Sequence, residues 1–435
     1  MASGGTSAAS AGGSTGGALV SGGASASSGG ASTGGSNGTS NACSIGSQLY
    51  VSGAPNPANA CQSCQPTSST TAWSNVPTAS CVHAIAAGAT CEILNGAALC
   101  WGDNSYGQVG NNSTTSTGCI INGRSATCLI PTLVSSLTAG VTLLARSGGH
   151  ACAIVNGSVQ CWGRNDYGQL ADGSLANSPA PVPTVGLPAE VTRIAVGYYH
   201  SCAVANGALL CWGRNNNGQL GDASCTTSCS SSYSTAPVQV VGLTSRVTAI
   251  TAGALHTCAI ANGVALCWGT NSSGQLGNTS VIGDSSTPMQ VQGLPSGITA
   301  IAAGGYQTCA IVNGAVWCWG DDQSTFSSIV PVQVSGLTSG VTAIAVGRNH
   351  ACALVNGGVR CWGAGPLGDN TTSSSAVPVA VTGLSSGVTA ISAADFHTCS
   401  LGTDSIVRCW GAGGELGNNS TAGSLVPVPI SDPSL

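Results

Sequence analysis

The chain has 435 residues, a formal net charge of −5 and only 5% charged side chains, with arginine supplying every fixed positive charge and lysine absent. Charged residues usually make up about a quarter of a soluble chain, so solubility here rests on Ser, Thr, Asn and Gly, and surface ion pairs contribute little. Scattered arginines on an acidic chain offer no basic patch to neutralise phosphates, which excludes nucleic acid as a partner and argues against a chromatin role.

Residues 1–42 are dominated by Gly, Ser, Ala and Thr, and the first charge in the chain is Glu92. This composition reads as a flexible, disordered linker. It shows neither a basic n-region nor a long apolar run, so no export signal and no transmembrane segment is visible. Linkers of this kind tether a domain to a cell surface; a plain spacer is the alternative.

Residues 43–81 hold Cys43, Cys61, Cys64 and Cys81. A lone Cys61-Gln-Ser-Cys64 outside a βαβ setting is weak as a redox motif, and zinc would want a matching second pair. A small two-disulfide module is expected, its pairing open. It resembles short cysteine-rich modules found beside repeats in secreted bacterial proteins.

From residue 82 the chain repeats. Residues 150–170 read HACAIVNGSVQCWGRNDYGQL. Asn156-Gly157 is a strong two-residue hairpin signal because both turn positions need positive φ. With those residues at the turn, Val155 faces Ser158, Ile154 faces Val159, Ala153 faces Gln160 and Cys152 faces Cys161. The cysteines then fall at a non-hydrogen-bonded pair, with Cα atoms about 4.5 Å apart, within disulfide reach.

The same symmetry centres five further pairs on Asn-Gly: Cys91 with Cys100, Cys202 with Cys211, Cys258 with Cys267, Cys309 with Cys318, and Cys352 with Cys361. Cys399 and Cys409 carry one extra loop residue. Cys119 with Cys128 and Cys225 with Cys229 sit in loops, so every one of the 22 cysteines has an assignment. This is a disulfide framework, and it belongs in an oxidising compartment. The protein is therefore expected to be extracellular or on a bacterial cell surface, its signal or lipid-anchor segment either lying upstream of Met1 or removed.

Trp-Gly follows the second hairpin cysteine at Trp101, Trp162, Trp212, Trp268, Trp319, Trp362 and Trp410. Before each hairpin comes an apolar run such as VTAITAG at Val247, and before most of those a Pro-Val segment such as APVQVVGL at Ala236. Four short β segments per unit at this period describe a propeller blade, and no stretch reads as a helix. The expected fold is all-β: a seven-bladed β-propeller with four-stranded blades over residues 82–435. Because no Pro-Val segment precedes the first unit and a spare VPVPI follows the last, strand 425–430 is expected to complete the first blade and close the ring.

The pattern Gly-x-x-His-x-Cys-Ala-Ile, Asn-Gly, Cys-Trp-Gly-x-Asn-x-x-Gly-Gln-Leu-Gly, as in Gly197–Gly221, resembles the repeat of the regulator-of-chromosome-condensation family over about residues 82–430. The resemblance implies a seven-bladed propeller. The cysteine pairs are an addition, at positions commonly apolar in the family. Its members include nuclear exchange factors, photoreceptors, ubiquitin ligase modules and secreted inhibitors, so it fixes fold far better than function. GTPase exchange in the nucleus conflicts with the cysteine framework.

His150, His200, His256, His350 and His397 stand two residues before a hairpin cysteine, with Gln307 and Ala89 in the other units. Equivalent positions spread around a ring and cannot converge on one ion, so a hydrogen bond repeated in each blade is expected rather than a metal. No blade singles out a nucleophile for Ser-His-Asp catalysis. Glu92, in place of the Ala of Cys-Ala-Ile, is expected at an exposed edge. Asp321-Asp322 and Asp103-Asn104 suit turns, with calcium as the alternative. No cofactor is expected.

In the Gly-Gln-Leu-Gly loops, Leu is expected to plug an inter-blade gap while Gln ties backbone groups. Blades five and six lack the full motif and should be the least regular. Insertions at Asn111–Pro131 and Asp222–Pro237 fall at the same place in units one and three and should emerge on one face, with Arg124 and Tyr233 as candidate contacts. The resulting expectation is a non-catalytic extracellular scaffold that binds a protein through one face, enzyme inhibition by occlusion being one form of this. Binding of a carbohydrate or surface polymer, or a structural coat role, is the alternative.

Overall fold

The computed structural model describes residues 42–45, 48–51, 55–56, 59–63, 74–75, 82–86, 88, 90–115, 119–122, 125–225, 232–280 and 283–431. The linker read over 1–42 lies almost wholly outside them, as do Cys64, Cys81, Arg124 and Cys229. In the cysteine-rich segment, Ala42–Ile45 pairs antiparallel with Gln48–Val51, and Asn59–Ser63 with Ser74–Asn75.

Seven antiparallel sheets follow, each built from one contiguous stretch of chain and ordered along the sequence, apart from an added strand in blade one. Blade four is representative: Val247–Ala252, His256–Ala261, Val264–Gly269 and Ser285–Gln290. The strands read as expected for half-buried β structure, with β-branched and small residues on the packed faces. Among the described residues there is no helix.

The hairpin register is the one the Asn-Gly midpoint dictates: Cys152 faces Cys161, Ala153 faces Gln160, Ile154 faces Val159 and Val155 faces Ser158. Asn156 sits at φ 49° and Gly157 at φ 81°, left-handed values that Asn and Gly tolerate best.

All seven hairpin pairs are disulfide-bonded within their own blade. Cys91 is joined to Cys100, Cys152 to Cys161, Cys202 to Cys211 and Cys258 to Cys267. Cys309 is joined to Cys318, Cys352 to Cys361 and Cys399 to Cys409. Their Cα–Cα separations are 4.0–4.1 Å, shorter than the 4.5 Å expected from the pairing type alone. The second cysteines, Cys100, Cys318 and Cys361 among them, are buried in the inter-blade layers beside the tryptophan that follows each in sequence.

An eighth disulfide joins Cys119 to Cys128. That pair does not sit in a loop: Cys119–Asn122 and Ser125–Leu133 form a hairpin that gives blade one a fifth strand.

Two further expectations are corrected. The Pro-Val segment is the outermost strand of the preceding hairpin's blade, not part of the next one: Val238 faces Cys211, Met289 faces Cys267, Val332 faces Cys318, Val379 faces Cys361 and Val428 faces Cys409. Strand Ser424–Pro429 therefore completes blade seven, and blade one uses its own Ser125–Leu133. The prolines explain this. Pro237, Pro288, Pro331, Pro378 and Pro427 lack an N–H and so suit a rim strand with one edge in solvent. Glu92, likewise, is not at an exposed edge. It pairs with Ile85 on one side and Leu99 on the other, in the middle of its sheet, and is only 2% exposed.

The core is a ring of inter-blade layers. Cys202, Val204, Leu209, Leu220 and Val240 of blade three pack on Val247, Ala259, Ala261 and Trp268 of blade four. The joint between blades seven and one is made the same way, Trp101 packing with Cys399, Leu401, Val407 and Leu416. The Trp101 indole N–H donates to the Glu415 carbonyl at 2.9 Å, and Asn419 N–H donates to the Leu129 carbonyl at 3.0 Å. Side-chain packing and these bonds close the ring without a shared strand.

Candidate binding face

Strand direction sorts the loops. The Asn-Gly turns lie on one face of the disc, while the links between first and second strands, and between third and fourth strands, emerge on the other. Among the described residues, Tyr106, Tyr167, Tyr198, Tyr199 and Phe396 stand in links on the second face.

Its third-to-fourth loops are held from within. In blade two, Asn165 Oδ1 accepts from Leu170 N–H at 3.0 Å and Gln169 Oε1 from Tyr167 N–H at 2.9 Å. Asn215 with Leu220 and Gln219 with Asn217 repeat this in blade three. Leu170, Leu220 and Leu276 are fully buried in the joints. The Gln backbone carbonyl then reaches the next blade: Gln169 O accepts from the Trp212 indole at 2.8 Å and Gln219 O from Trp268 at 3.0 Å.

The histidines belong to the same clasp. His150, His200 and His256 place Nε2 at 2.8, 2.9 and 2.9 Å from Ser201 Oγ, Thr257 Oγ1 and Thr308 Oγ1 of the following blade. Each hydroxyl donates its proton to the Gln carbonyl, at 3.1 Å for Ser201, 2.9 Å for Thr257 and 3.1 Å for Thr308. Its oxygen must then accept from imidazole Nε2–H, which fixes the neutral tautomer. Burial accordingly lowers these histidines, His150 and His256 to about 3 and His200 and His350 to about 4. Where the histidine is replaced, by Ala89 or Gln307, the following blade has Ala151 or Ala351 in place of the hydroxyl.

The acidic turn residues also have structural partners. Asp322 Oδ1 accepts backbone N–H groups of Ser324, Thr325 and Phe326, and Asp103 Oδ1 that of Ser105. Among the described residues no three His, Cys, Asp or Glu side chains gather as a metal-holding group.

Two features stand out on the loop face. The first is a central cavity of about 550 Å³, lined by Ile194, Ile250, Ile301, Ile344 and Ile391 of the innermost strands and with Tyr106, Tyr198, Tyr199 and Arg164 also in its wall. Tyr198 Oη donates to Asp395 Oδ1 at 2.6 Å, joining blade three to blade seven across the opening. Burial raises both groups above their ordinary values. Burial also pushes Glu415 up, but the hydrogen bond and charge of His397, with the charge of Arg146, outweigh it and leave that carboxyl below its usual range.

The second is a ladder of alternating tyrosine and arginine across blades one to three. The Arg164 guanidinium carbon lies 4.7 Å from the Tyr106 ring centre and 5.1 Å from that of Tyr199. Arg214 lies 5.4 Å from both Tyr167 and Tyr199. Tyr167 and Tyr199 meet edge to face at 5.6 Å. Tyr233, a candidate contact from sequence, is 46% exposed and stands opposite Arg214 in the strand register. Arg124 lies outside the described residues.

Sequence reasoning missed the ladder. Its signal is offset: Arg164 and Arg214 directly follow Trp-Gly in successive repeats, and Tyr106 and Tyr167 directly precede Gly-Gln. Equal offsets in adjacent repeats become neighbours on the disc.

A family model described as the regulator of chromosome condensation (RCC1) repeat matches residues 95–154, 156–204, 206–260 and 262–311, and a second model of that repeat matches 191–219 and 341–369. The fold is similar to the crystal structure of human WBSCR16, with 21% identity, a TM-score of 0.67, and coverage of 77% of this chain and 93% of that one. It is also similar to Prp20p from Saccharomyces cerevisiae, with 19% identity, a TM-score of 0.65, and coverage of 82% and 89%. Yeast RCC1 (Prp20) in its complex with Kap60 gives 19% identity, a TM-score of 0.64, and coverage of 77% and 84%. No curated protein sequence matches the chain.

Proposed function

The chain belongs to the regulator of chromosome condensation (RCC1) repeat family, and from that premise we propose that it is a non-catalytic extracellular scaffold that binds a protein partner through its loop face. The observation that carries this reading is the tyrosine–arginine ladder. Tyrosine and arginine are among the residues most enriched at binding hot spots, because they combine large contact area with directed polar groups. Here five of them are pre-stacked, so little side-chain freedom is lost on docking. The insertion in blade one carries the Cys119–Cys128 disulfide, which stiffens it.

The disulfides point to an oxidising environment, which supports an extracellular site and sets nuclear exchange aside. No helix among the described residues is long and apolar enough to cross a membrane; the Gly/Ser-rich N-terminal segment is the proposed surface tether. Yeast Prp20p has been described with binding properties to Gsp1p and histones, which supports a protein-binding role for this propeller type while leaving the partner different. Occlusion of a partner enzyme's site is one form such binding takes.

The test is cross-linked capture from the native secretome by three proteins: the wild type, a Tyr106→Ser/Tyr167→Ser/Tyr199→Ser variant, and Arg246→Ser near an Asn-Gly turn on the opposite face. A protein retained by the first and third and lost by the second supports the reading. Equal capture by all three moves the site off this face, and retention of polysaccharide alone overturns the protein partner in favour of the polymer-binding reading.

A further inference from the structure

The ladder holds one cation without an answer. Arg164 is bonded to Asp166, with Nε 2.5 Å from Oδ2. Arg214 has no carboxylate within salt-bridge distance among the described residues, and its Nε is buried without a hydrogen-bond partner. Its guanidinium is instead held between the Tyr167 and Tyr199 rings. Desolvating a donor and leaving it unpaired costs free energy; with Nε enclosed, an incoming acceptor meets the guanidinium through its terminal Nη groups, which make no hydrogen bond among the described residues.

We propose that Arg214 is the anchor for an acidic side chain of the partner protein, whose carboxylate it receives in a two-pronged hydrogen bond. This deepens the reading of the loop face as the binding face and rests on it. Three observations favour a carboxylate. The guanidinium fork matches a carboxylate in shape and charge. The tyrosine rings hold the guanidinium in place before binding, so less side-chain freedom is lost when the pair forms. The remaining loop charges around it, Asp166, Asp172, Asp222 and Asp284, are acidic and belong to the loops of blades two to four. A carboxylate landing on those loops meets like charge, which favours its settling at the ladder. Tyr233, opposite Arg214 in the strand register, supplies an exposed aromatic surface beside the anchor.

The experiment uses the full chain with its disulfides intact. A capped Glu-Ala-Glu-Tyr-Glu peptide and its twin with Gln for each Glu are titrated while the arginine Nε–H resonances are followed. The expected result is a shift of the Arg214 signal by the Glu peptide, with the Gln twin at least about tenfold weaker, the usual size of losing a charge-assisted hydrogen bond. Arg214→Gln should remove that preference. Arg214→Lys should restore only part of it, because an ammonium is a point charge without the fork. Arg214 makes no side-chain hydrogen bond among the described residues, so both variants should fold, Arg214→Gln losing only the small stacking contribution on Tyr167 and Tyr199. Equal binding of the twins, no binding of either at millimolar concentration, or a preference unchanged in Arg214→Gln overturns the proposal. Secretome capture separates this from failure of the face itself. If Arg214→Gln keeps the partner and the triple tyrosine variant loses it, the face stands and the acidic anchor falls.

Discussion

His200 of blade three places its Nε2 2.9 Å from Thr257 Oγ1 of blade four, and that hydroxyl donates in turn to the Gln219 carbonyl, which also receives the Trp268 indole. An imidazole and an indole from two blades thus meet at one hydroxyl and one carbonyl, all buried.

Removing that hydroxyl should unfasten the joint. Thr257→Val keeps the shape but leaves the His200 Nε2–H without an acceptor, which typically costs about 1–3 kcal/mol. Thr257→Ser keeps the hydroxyl and should retain most of the stability. Urea unfolding under non-reducing conditions measures both. A Val variant as stable as the wild type would mean the clasp contributes nothing net.

The clasp should make stability fall with acid. His150 and His256 titrate at about 3 and His200 and His350 at about 4 in the folded protein, against an ordinary value of 6.5, because burial disfavours the cation. A lowered histidine leaves the unfolded chain holding more protons between those values, so folding is favoured in full above about pH 6.5 and loses ground as pH falls towards 4. Melting temperatures from pH 7.5 to 4 should show this decline. His200→Gln, using the residue that blade five carries at Gln307, should make it shallower by that histidine's share, with His150, His256 and His350 supplying the rest. A decline of the same slope in that variant would assign the acid sensitivity to other groups.

The hairpin disulfides should be individually worth about 2–3 kcal/mol on the loop-entropy model, since each closes a loop of about ten residues. Cys258→Ala with Cys267→Ala is the direct measure. Peptide mapping without reductant should return all seven hairpin bonds within their own blades, and any bridge between blades would contradict the register.

The joint between blades five and six should be the first to open. Gln307 replaces the histidine there and neither of its amide atoms has a hydrogen-bond partner, Ala351 replaces the hydroxyl, and in the next joint the Trp410 indole N–H is unpartnered. Amide exchange in the blade-six hairpin, His350–Val355 and Gly358–Gly363, should outpace that in blade four. Gln307→His combined with Ala351→Thr should slow it and raise the melting point, while Gln307→His alone should not. Uniform exchange around the ring would show that the loops compensate fully.

The fold was largely legible because its signals are local. Asn156-Gly157 midway between Cys152 and Cys161 determines turn, register and disulfide together, and the structure agrees at each pair. Blade phase was not legible, because a repeat has no intrinsic starting point: Pro-Val followed by Val-Thr-Ala-Ile reads as one unit until it is seen that the proline strand lies at the rim and the next run at the channel. Glu92 was misread for a related reason, since its substitution in a repeat suggested an edge while its register with Ile85 and Leu99 puts it inside. The histidine clasp and the ladder depend on contacts between consecutive repeats, where the informative spacing is the repeat length rather than a turn of chain.

Because each blade is assembled from one uninterrupted stretch and none borrows a strand, the points between blades are interchangeable as places to begin the chain. A circular permutant opened in the link between Gln290 and Ile298, with the propeller's ends joined by a short peptide, should rebuild the same sheets. The same property makes the whole blade the natural unit of inheritance. Duplication or loss of one blade leaves every other sheet intact, and the only structure it must satisfy is the circumference of the ring.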